Sequence, residues 1–171
     1  MSVVEKMNRV LDTAQVHQKI TRIAYEIFEN NFKEKTIVIA GIDGQGFQLA
    51  KQIANELGKI SAMQVRIVKV SLDKLAPLQS EVVLDAEGKD LKKKCVVLVD
   101  DVLNTGKTLA YSLPLFLTSG VRKVEIATLI DRHHPRFPVS ATYTGYSLAT
   151  TLNDHIEVTL PEDGSFGAYL S

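Results

Sequence analysis

Residues 96–108 read Val-Val-Leu-Val-Asp-Asp-Val-Leu-Asn-Thr-Gly-Lys-Thr. Four apolar residues run into two adjacent carboxylates, and a Thr-Gly-Lys-Thr turn then opens a segment of helical character. An apolar run of this kind fits a strand buried on both faces. Asp100 and Asp101 then fall at its carboxyl end, where open α/β sheets bind ligands. Thr105, Gly106, Lys107 and Thr108 offer a phosphate backbone N–H groups, two hydroxyls and a helix N-terminus. The two carboxylates cannot favour the same anion. They are suited to accept hydrogen bonds from sugar hydroxyls, directly or beside a divalent cation. The stretch predicts a sugar-phosphate site. The bland alternative is a plain strand and a capped helix, with the acidic pair and Thr-Gly as turn and N-cap.

Two other motif readings fail. A P-loop needs Gly five residues before Gly106, and that position is Asp101. The run Gly41-Ile-Asp-Gly-Gln-Gly46 spaces its glycines differently from the dinucleotide fingerprint.

Outward from the signature, strands and helices alternate. Val16, Ile20, Ile23, Ala24, Ile27 and Phe28 recur at helical spacing, so residues 13–32 read as one amphipathic helix capped by Asp12 or Thr13. Residues 36–40 form a short apolar strand ended by Gly41. Phe47, Ala50, Ile53, Ala54 and Leu57 predict a second helix, with Gly58 placed to end it. Residues 65–72 read as a strand. Residues 73–94 are polar and weakly periodic, with strand character at 81–84 and a hairpin expected around 85–88. A helix follows the signature from Lys107 to about Ser119, and Pro114 should kink or restart it. Further strands are expected at 124–130 and 156–160. Glu162 and Asp163 read as a turn before Phe166 and Tyr169, which could anchor the tail. The alternation implies an α/β fold with a mostly parallel, Rossmann-like sheet flanked by helices.

Size and composition bound the rest. A chain of 171 residues defaults to a single domain over 1–171. Twenty basic residues balance twenty acidic ones, so no global charge argues for nucleic acid. Cys95 is the only cysteine; it excludes an internal disulfide and reads as a small buried hydrophobe. No apolar run is long enough for a bilayer and no secretory signal stands near Met1, so a cytoplasmic location is expected.

The signature resembles that of the type I phosphoribosyltransferases, which use phosphoribosyl pyrophosphate (PRPP). Thr21-Arg-Ile-Ala-Tyr-Glu-Ile27, Gly41-Ile42, Leu98-Val-Asp-Asp-Val-Leu103, Asp131-Arg132 and Tyr143-Thr-Gly145 follow the order of PyrR proteins. That family combines uracil phosphoribosyltransferase activity with pyrimidine-dependent binding of messenger RNA. The resemblance implies a parallel sheet with a small hood over the base, drawn from residues 131–152 together with the N-terminal helix. It places Asp100 and Asp101 on the ribose as catalytic residues. Asn104, Thr105, Gly106, Lys107 and Thr108 take the 5′-phosphate side, and Ile42, Asp43, Gly44, Gln45 and Gly46 form the pyrophosphate loop. Arg132 and Tyr146 are assigned to the base and hood. Mg²⁺ is implied, held through PRPP with Asp100 and Asp101. The implied partners are PRPP, a nucleobase with uracil favoured, and a second copy of the chain in a homodimer or higher homo-oligomer.

Some residues depart from the family pattern. Purine-using relatives usually carry Asp where this chain has Asn104, and an amide cannot act as a general base near neutral pH. That favours a pyrimidine; the bland reading is that Asn104 tolerates a strained turn. Asp43 and Gln45 stand where PyrR-like loops carry Lys and Arg, and a carboxylate beside a diphosphate is unfavourable unless a cation intervenes. Residues 73–94 lack the family's Tyr-Arg pair, which leaves Lys74 as the nearest cation. Tyr25, Asn30, Pro135 and Ser140 replace the basic residues and His of the RNA contacts, although Thr21 matches and Arg136 lies one residue away. The loss of cations argues against RNA binding. His133 and His134 read as a solvated loop against a base or phosphate contact. Tyr146 could stack on a base or pack in the core. The alternative to an enzyme is a catalytically weak regulatory protein that senses PRPP or a nucleotide.

Overall fold

The computed structural model describes residues 7–78 and 81–171. Its main sheet has six strands in the order β4 (Val83–Leu84), β3 (Gln64–Ser71), β2 (Thr36–Ile42), β5 (Cys95–Leu103), β6 (Lys123–Asp131) and β7 (Tyr143–Ser147). All neighbours are parallel except β4, which pairs antiparallel with β3. The helices are α1 (Thr13–Asn31), α2 (Gln45–Ile60) and α3 (Lys107–Leu117). A second sheet, antiparallel, joins β1 (Asn8–Leu11), β9 (Gly167–Leu170) and β8 (Ile156–Thr159).

The apolar runs form central strands because both of their faces are covered. Ile37, Ile39, Val97 and Val99 join one core cluster with α1 and α2, while Val38, Ala40, Val96 and Leu98 join the other with Leu109 and Phe116 of α3. Period-two alternation into two dry layers is what a doubly covered parallel strand requires. The chain leaves β2 in one direction to β3 and later returns to its other side as β5. The resulting switch point lies between β2 and β5, so ligands are expected at their carboxyl ends.

Local chemistry sets most element ends. Asp12 caps α1 in a capping box: the Gln15 N–H donates to Asp12 Oδ1 at 2.8 Å, and the Asp12 N–H donates to Gln15 Oε1 at 2.9 Å. Thr13 instead donates its hydroxyl to the Phe166 carbonyl. Gly58 does not end α2, which continues to Ile60. There Ser61 closes it through its N–H and hydroxyl, both donated to the Leu57 carbonyl. The helix α3 runs through Pro114 without restarting. No hairpin forms around 85–88; β4 folds back onto β3, and Gly88–Asp90 is a 3₁₀ turn.

The largest difference from expectation concerns residues 131–152. Their strand character at Tyr143–Ser147 builds the parallel edge of the main sheet, beside β6. The second sheet is made instead from short strands near both ends of the described chain. Each of these strands spans four residues; 156–160 reads as a strand from its own pattern, but β1 pairs with β9 across more than 150 residues of chain, and nothing local announces that partner. Arg22 of α1 shows why its motif travels with Tyr143-Thr-Gly145: its guanidinium donates to the carbonyls of Thr144 (3.2 Å) and Gly145 (2.6 Å). Below it, Glu125 accepts from Asn31 and from the Tyr143 hydroxyl, each at 2.8 Å, so the buried carboxylate has partners.

Gly41 and Gly46 are needed for close packing of α2 on the sheet. A Cβ at Gly41 would lie 2.6 Å from Phe47 Cα and 2.8 Å from Ala50 Cβ, and neither can retreat without moving α2. Gly41→Ala is expected to destabilise the fold by about 3 kcal/mol, an overpacking cost. An unchanged urea midpoint in this variant would contradict that packing.

Candidate active site

Two loops meet at the switch point, and each opens a helix through a glycine in a conformation that other residues rarely adopt. Gly44 (φ 96°) precedes α2 and Gly106 (φ 85°) precedes α3. Neither helix has a side-chain cap or an acidic residue in its first turn. Both helix N-termini therefore keep unpaired first-turn donors suited to an anion, although the Gly44 N–H donates to Asp43 Oδ1 (3.0 Å) and the Lys107 N–H to Thr105 Oγ1 (3.3 Å). The Gly106 turn is held from behind. The N–H groups of Arg136 and Phe137 both donate to the Thr105 carbonyl, at 2.9 and 3.1 Å, and Gly106 packs against Val139.

The acidic pair lies between these loops. Core alternation breaks there: Val99 and Val102 belong to one cluster and Leu98 and Leu103 to the other. Asp100 is 4% exposed and Asp101 is half-buried. Asp100 Oδ1 accepts from the Asp101 N–H at 3.0 Å and lies 3.4 Å from Lys74 Nζ. Burial pushes the Asp100 carboxyl up to about 8; the negative charge of Asp101 adds to the rise and Lys74 opposes it. Thr128, fully buried on β6, donates its hydroxyl to the Asp101 carbonyl at 3.1 Å and fixes the strand end.

A cavity of about 500 Å³ opens over this strand end. Asp100, Asp101, Asn104, Thr105, Gly106, Lys107 and Thr108 all line it, with Lys74 and Gln45. The opposite wall is His155 to Thr159, which is β8 and the residue before it. Sequence patterning marks 156–160 as a strand but carries no sign that it faces the acidic pair. Ile42 is buried in the core, and the cavity lining does not include Asp43, Gly44 or Gly46. Gln45 has a second role: its Oε1 accepts from the Leu160 N–H at 2.8 Å, tying α2 to the second sheet.

Arg132, His134 and Tyr146 have defined contacts. The Arg132 guanidinium donates to Thr150 Oγ1 (2.9 Å), Asn104 Oδ1 (2.8 Å) and the carbonyls of Thr151 (3.2 Å) and Asp154 (2.6 Å). It braces residues 150–154 against the turn at Asn104 and lines a second recess of about 510 Å³ with His133, His134 and Arg136. Asn104 is not in a left-handed conformation, so turn strain does not explain it; its amide oxygen holds Arg132. His134 Nε2 lies 2.7 Å from the Thr150 carbonyl. Tyr146 packs beside the α1 core with Lys19 Nζ 5.8 Å from its ring centre, and it is absent from the lining of the main cavity.

Known proteins resemble this chain in sequence and in fold. The phosphoribosyl transferase domain family matches residues 6–163. The "Bifunctional protein PyrR" of Clostridium kluyveri is 32% identical over 159 residues, covering 90% of this chain and 90% of that protein. Its Clostridium acetobutylicum counterpart is 33% identical over 171 residues, covering 94% and 96%. Among solved structures, the hypoxanthine phosphoribosyltransferase of Trypanosoma cruzi superposes with a TM-score of 0.75 at 16% identity, covering 95% of each chain. That of Staphylococcus aureus gives 0.73 at 16% identity, covering 87% of this chain and 80% of that one. At such identity the two structures speak for the fold alone. No helix among the described residues is long and apolar enough to cross a membrane.

Proposed function

The chain belongs to the phosphoribosyl transferase domain family, in its PyrR-like branch, and from that membership we propose that it transfers the phosphoribosyl group of PRPP to a pyrimidine base, uracil. The observation that carries the reading is the pair of uncapped, glycine-opened helix N-termini flanking Asp100 and Asp101 at the switch point. One anion-binding turn on each side of a carboxylate pair matches a ligand with a phosphate at one end, a diphosphate at the other and a ribose between.

The α3 turn, Thr105 to Thr108, holds the 5′-phosphate. Asp101, half-buried and facing the cavity, accepts hydrogen bonds from the ribose hydroxyls. Asp100 beneath it, once ionised in the liganded site, adds negative potential as positive charge develops on the ribosyl ring. The base nitrogen bonds to C1′ and gives up its N–H proton to water, and the electron pair of the breaking C1′–oxygen bond leaves with pyrophosphate. The α2 turn and Lys74 receive that leaving charge, while β8 walls the cavity. Asn104 cannot take up a proton, and its oxygen is already engaged by Arg132; both facts support a pyrimidine over a purine.

Mg²⁺ fits this site only as a shared ion. Among the described residues no group of three or more His, Cys, Asp or Glu could hold a metal. Asp100 and Asp101 would contribute carboxylate oxygens, and substrate phosphates and water the rest, as this hard cation prefers. When bound, it supplies charge neutralisation for the diphosphate.

The direct test is pyrophosphate release from PRPP and Mg²⁺ with uracil, hypoxanthine, guanine or xanthine. Release with uracil alone is expected. Release with a purine would overturn the base assignment. Tight PRPP binding without release on any base would replace the enzyme by a sensing protein.

A further inference from the structure

The loop that opens α2 carries its own anion. Asp43 Oδ1 accepts the Gly44 N–H at 3.0 Å, and the Asp43 N–H is itself held by the Val70 carbonyl at 2.8 Å. The backbone of Asp43 is therefore tied to β3, while its side chain is 58% exposed and free to swing. A carboxylate at an otherwise uncapped helix N-terminus is favoured by the helix dipole. It also occupies a donor that an arriving diphosphate needs.

Lys69 stands beside this carboxylate. It pairs with Gly41 in the parallel register of β2 and β3, level with the start of the loop. Its backbone is locked by Asp85, whose Oδ1 accepts the Lys69 N–H at 2.6 Å and whose N–H donates to the Lys69 carbonyl at 3.1 Å. Its ammonium lies 4.0 Å from Asp43 Oδ1 and 4.8 Å from the centre of the Phe47 ring, in the first turn of α2. The ring holds the ammonium near the loop by cation–π attraction. Lys51 approaches the same ring, at 5.4 Å, so the α2 entrance carries two cations on one aromatic.

We infer that Asp43 is a resident anion that a diphosphate must displace from the Gly44 N–H, and that Lys69 is the cation that receives the displaced carboxylate. This rests on the phosphoribosyl transfer reading above. The loop remains usable although it carries a carboxylate in place of a cation. Its charge is drawn aside to β3, and the N–H groups are released to the ligand. Both side chains act as positioning residues, and their role is to set affinity for the diphosphate end of the ligand.

The experiment is calorimetric titration of the full chain with PRPP and Mg²⁺, and separately with inorganic pyrophosphate and Mg²⁺. The proteins are the parent, Asp43→Ala, Lys69→Met, Lys69→Arg and the Asp43→Ala/Lys69→Met double variant. Met keeps the apolar stem over Phe47 without its charge. Asp43→Ala is expected to tighten both ligands about tenfold and Lys69→Met to weaken them about tenfold, the scale of one charge pair near a surface. In the Asp43→Ala background, Lys69→Met should change affinity by less than about twofold, and Lys69→Arg should bind like the parent. KM for PRPP should follow these affinities, falling in Asp43→Ala and rising in Lys69→Met, opposite shifts that a shared loss of packing would not produce. Weaker or unchanged binding in Asp43→Ala, or additive effects in the double variant, would overturn the inference. A parent that binds neither ligand would instead remove the functional reading on which it rests.

Discussion

Asp101→Asn is expected to weaken PRPP binding about 100-fold while changing folding stability by no more than about 0.5 kcal/mol. The carboxylate faces the cavity, and hydrogen bonds that it accepts from ribose hydroxyls are charge-assisted. Two such bonds, each reduced to a neutral one, lose about 3 kcal/mol together. Stability should hold because the Thr128 hydroxyl donates to the Asp101 carbonyl, a backbone contact that Asn keeps. Titration with PRPP and Mg²⁺ measures the first quantity and urea denaturation the second. Unchanged affinity would remove the ribose role, and a large loss of stability would make Asp101 structural.

For Asp100→Asn the larger effect is on the ligand-free protein. Burial, then the charge of Asp101, raises its folded-state pKa from 3.8 to about 8. Below pH 4 the carboxyl is protonated in both folded and unfolded chains, and its contribution is fully present. Between about 4 and 8 the unfolded chain gives up the proton and the folded chain keeps it. Stability therefore falls as pH rises, by up to about 1.4 kcal/mol per unit for one such group. Above about 8 the loss is complete, on the order of several kcal/mol. Asn cannot ionise, so the variant should gain thermal stability over the parent, with a gain that grows between pH 5 and 9 in the presence of a chelator. A gain that is constant with pH would refute the buried-charge account. The same variant should lose phosphoribosyl transfer, because the carboxylate that costs stability in the empty site is the one that favours positive charge on the ribosyl ring.

The cavity lining at the end of β5 is legible in residues 96–108, because strand burial, the acidic pair and the Thr-Gly-Lys-Thr turn are contiguous and each part has a local chemical signature. The alternation in β2 and β5, the Asp12 cap and the family resemblance belong to the same class of local information. The contacts of Arg132 and Asn104 do not. They sit 28 residues apart, and nothing in either segment announces that the guanidinium meets the Asn104 amide. Tyr146 shows the same limit: an aromatic beside a glycine reads equally well as a stacking platform or as core, and the position of α1 places it beside the core.

The α/β class, the parallel core, the paired carboxylates and the turn after them are legible in the chain alone, since they follow from nearest-neighbour chemistry and periodicity. Tertiary folding put residues 143–147 at the edge of the main sheet and β8 against the cavity. It alone placed Lys69 beside Asp43 and buried Asp100 deeply enough to raise its pKa. Each of these depends on contacts between segments distant in the chain, and short strands and single charged side chains carry no periodic signal of the partner they will meet.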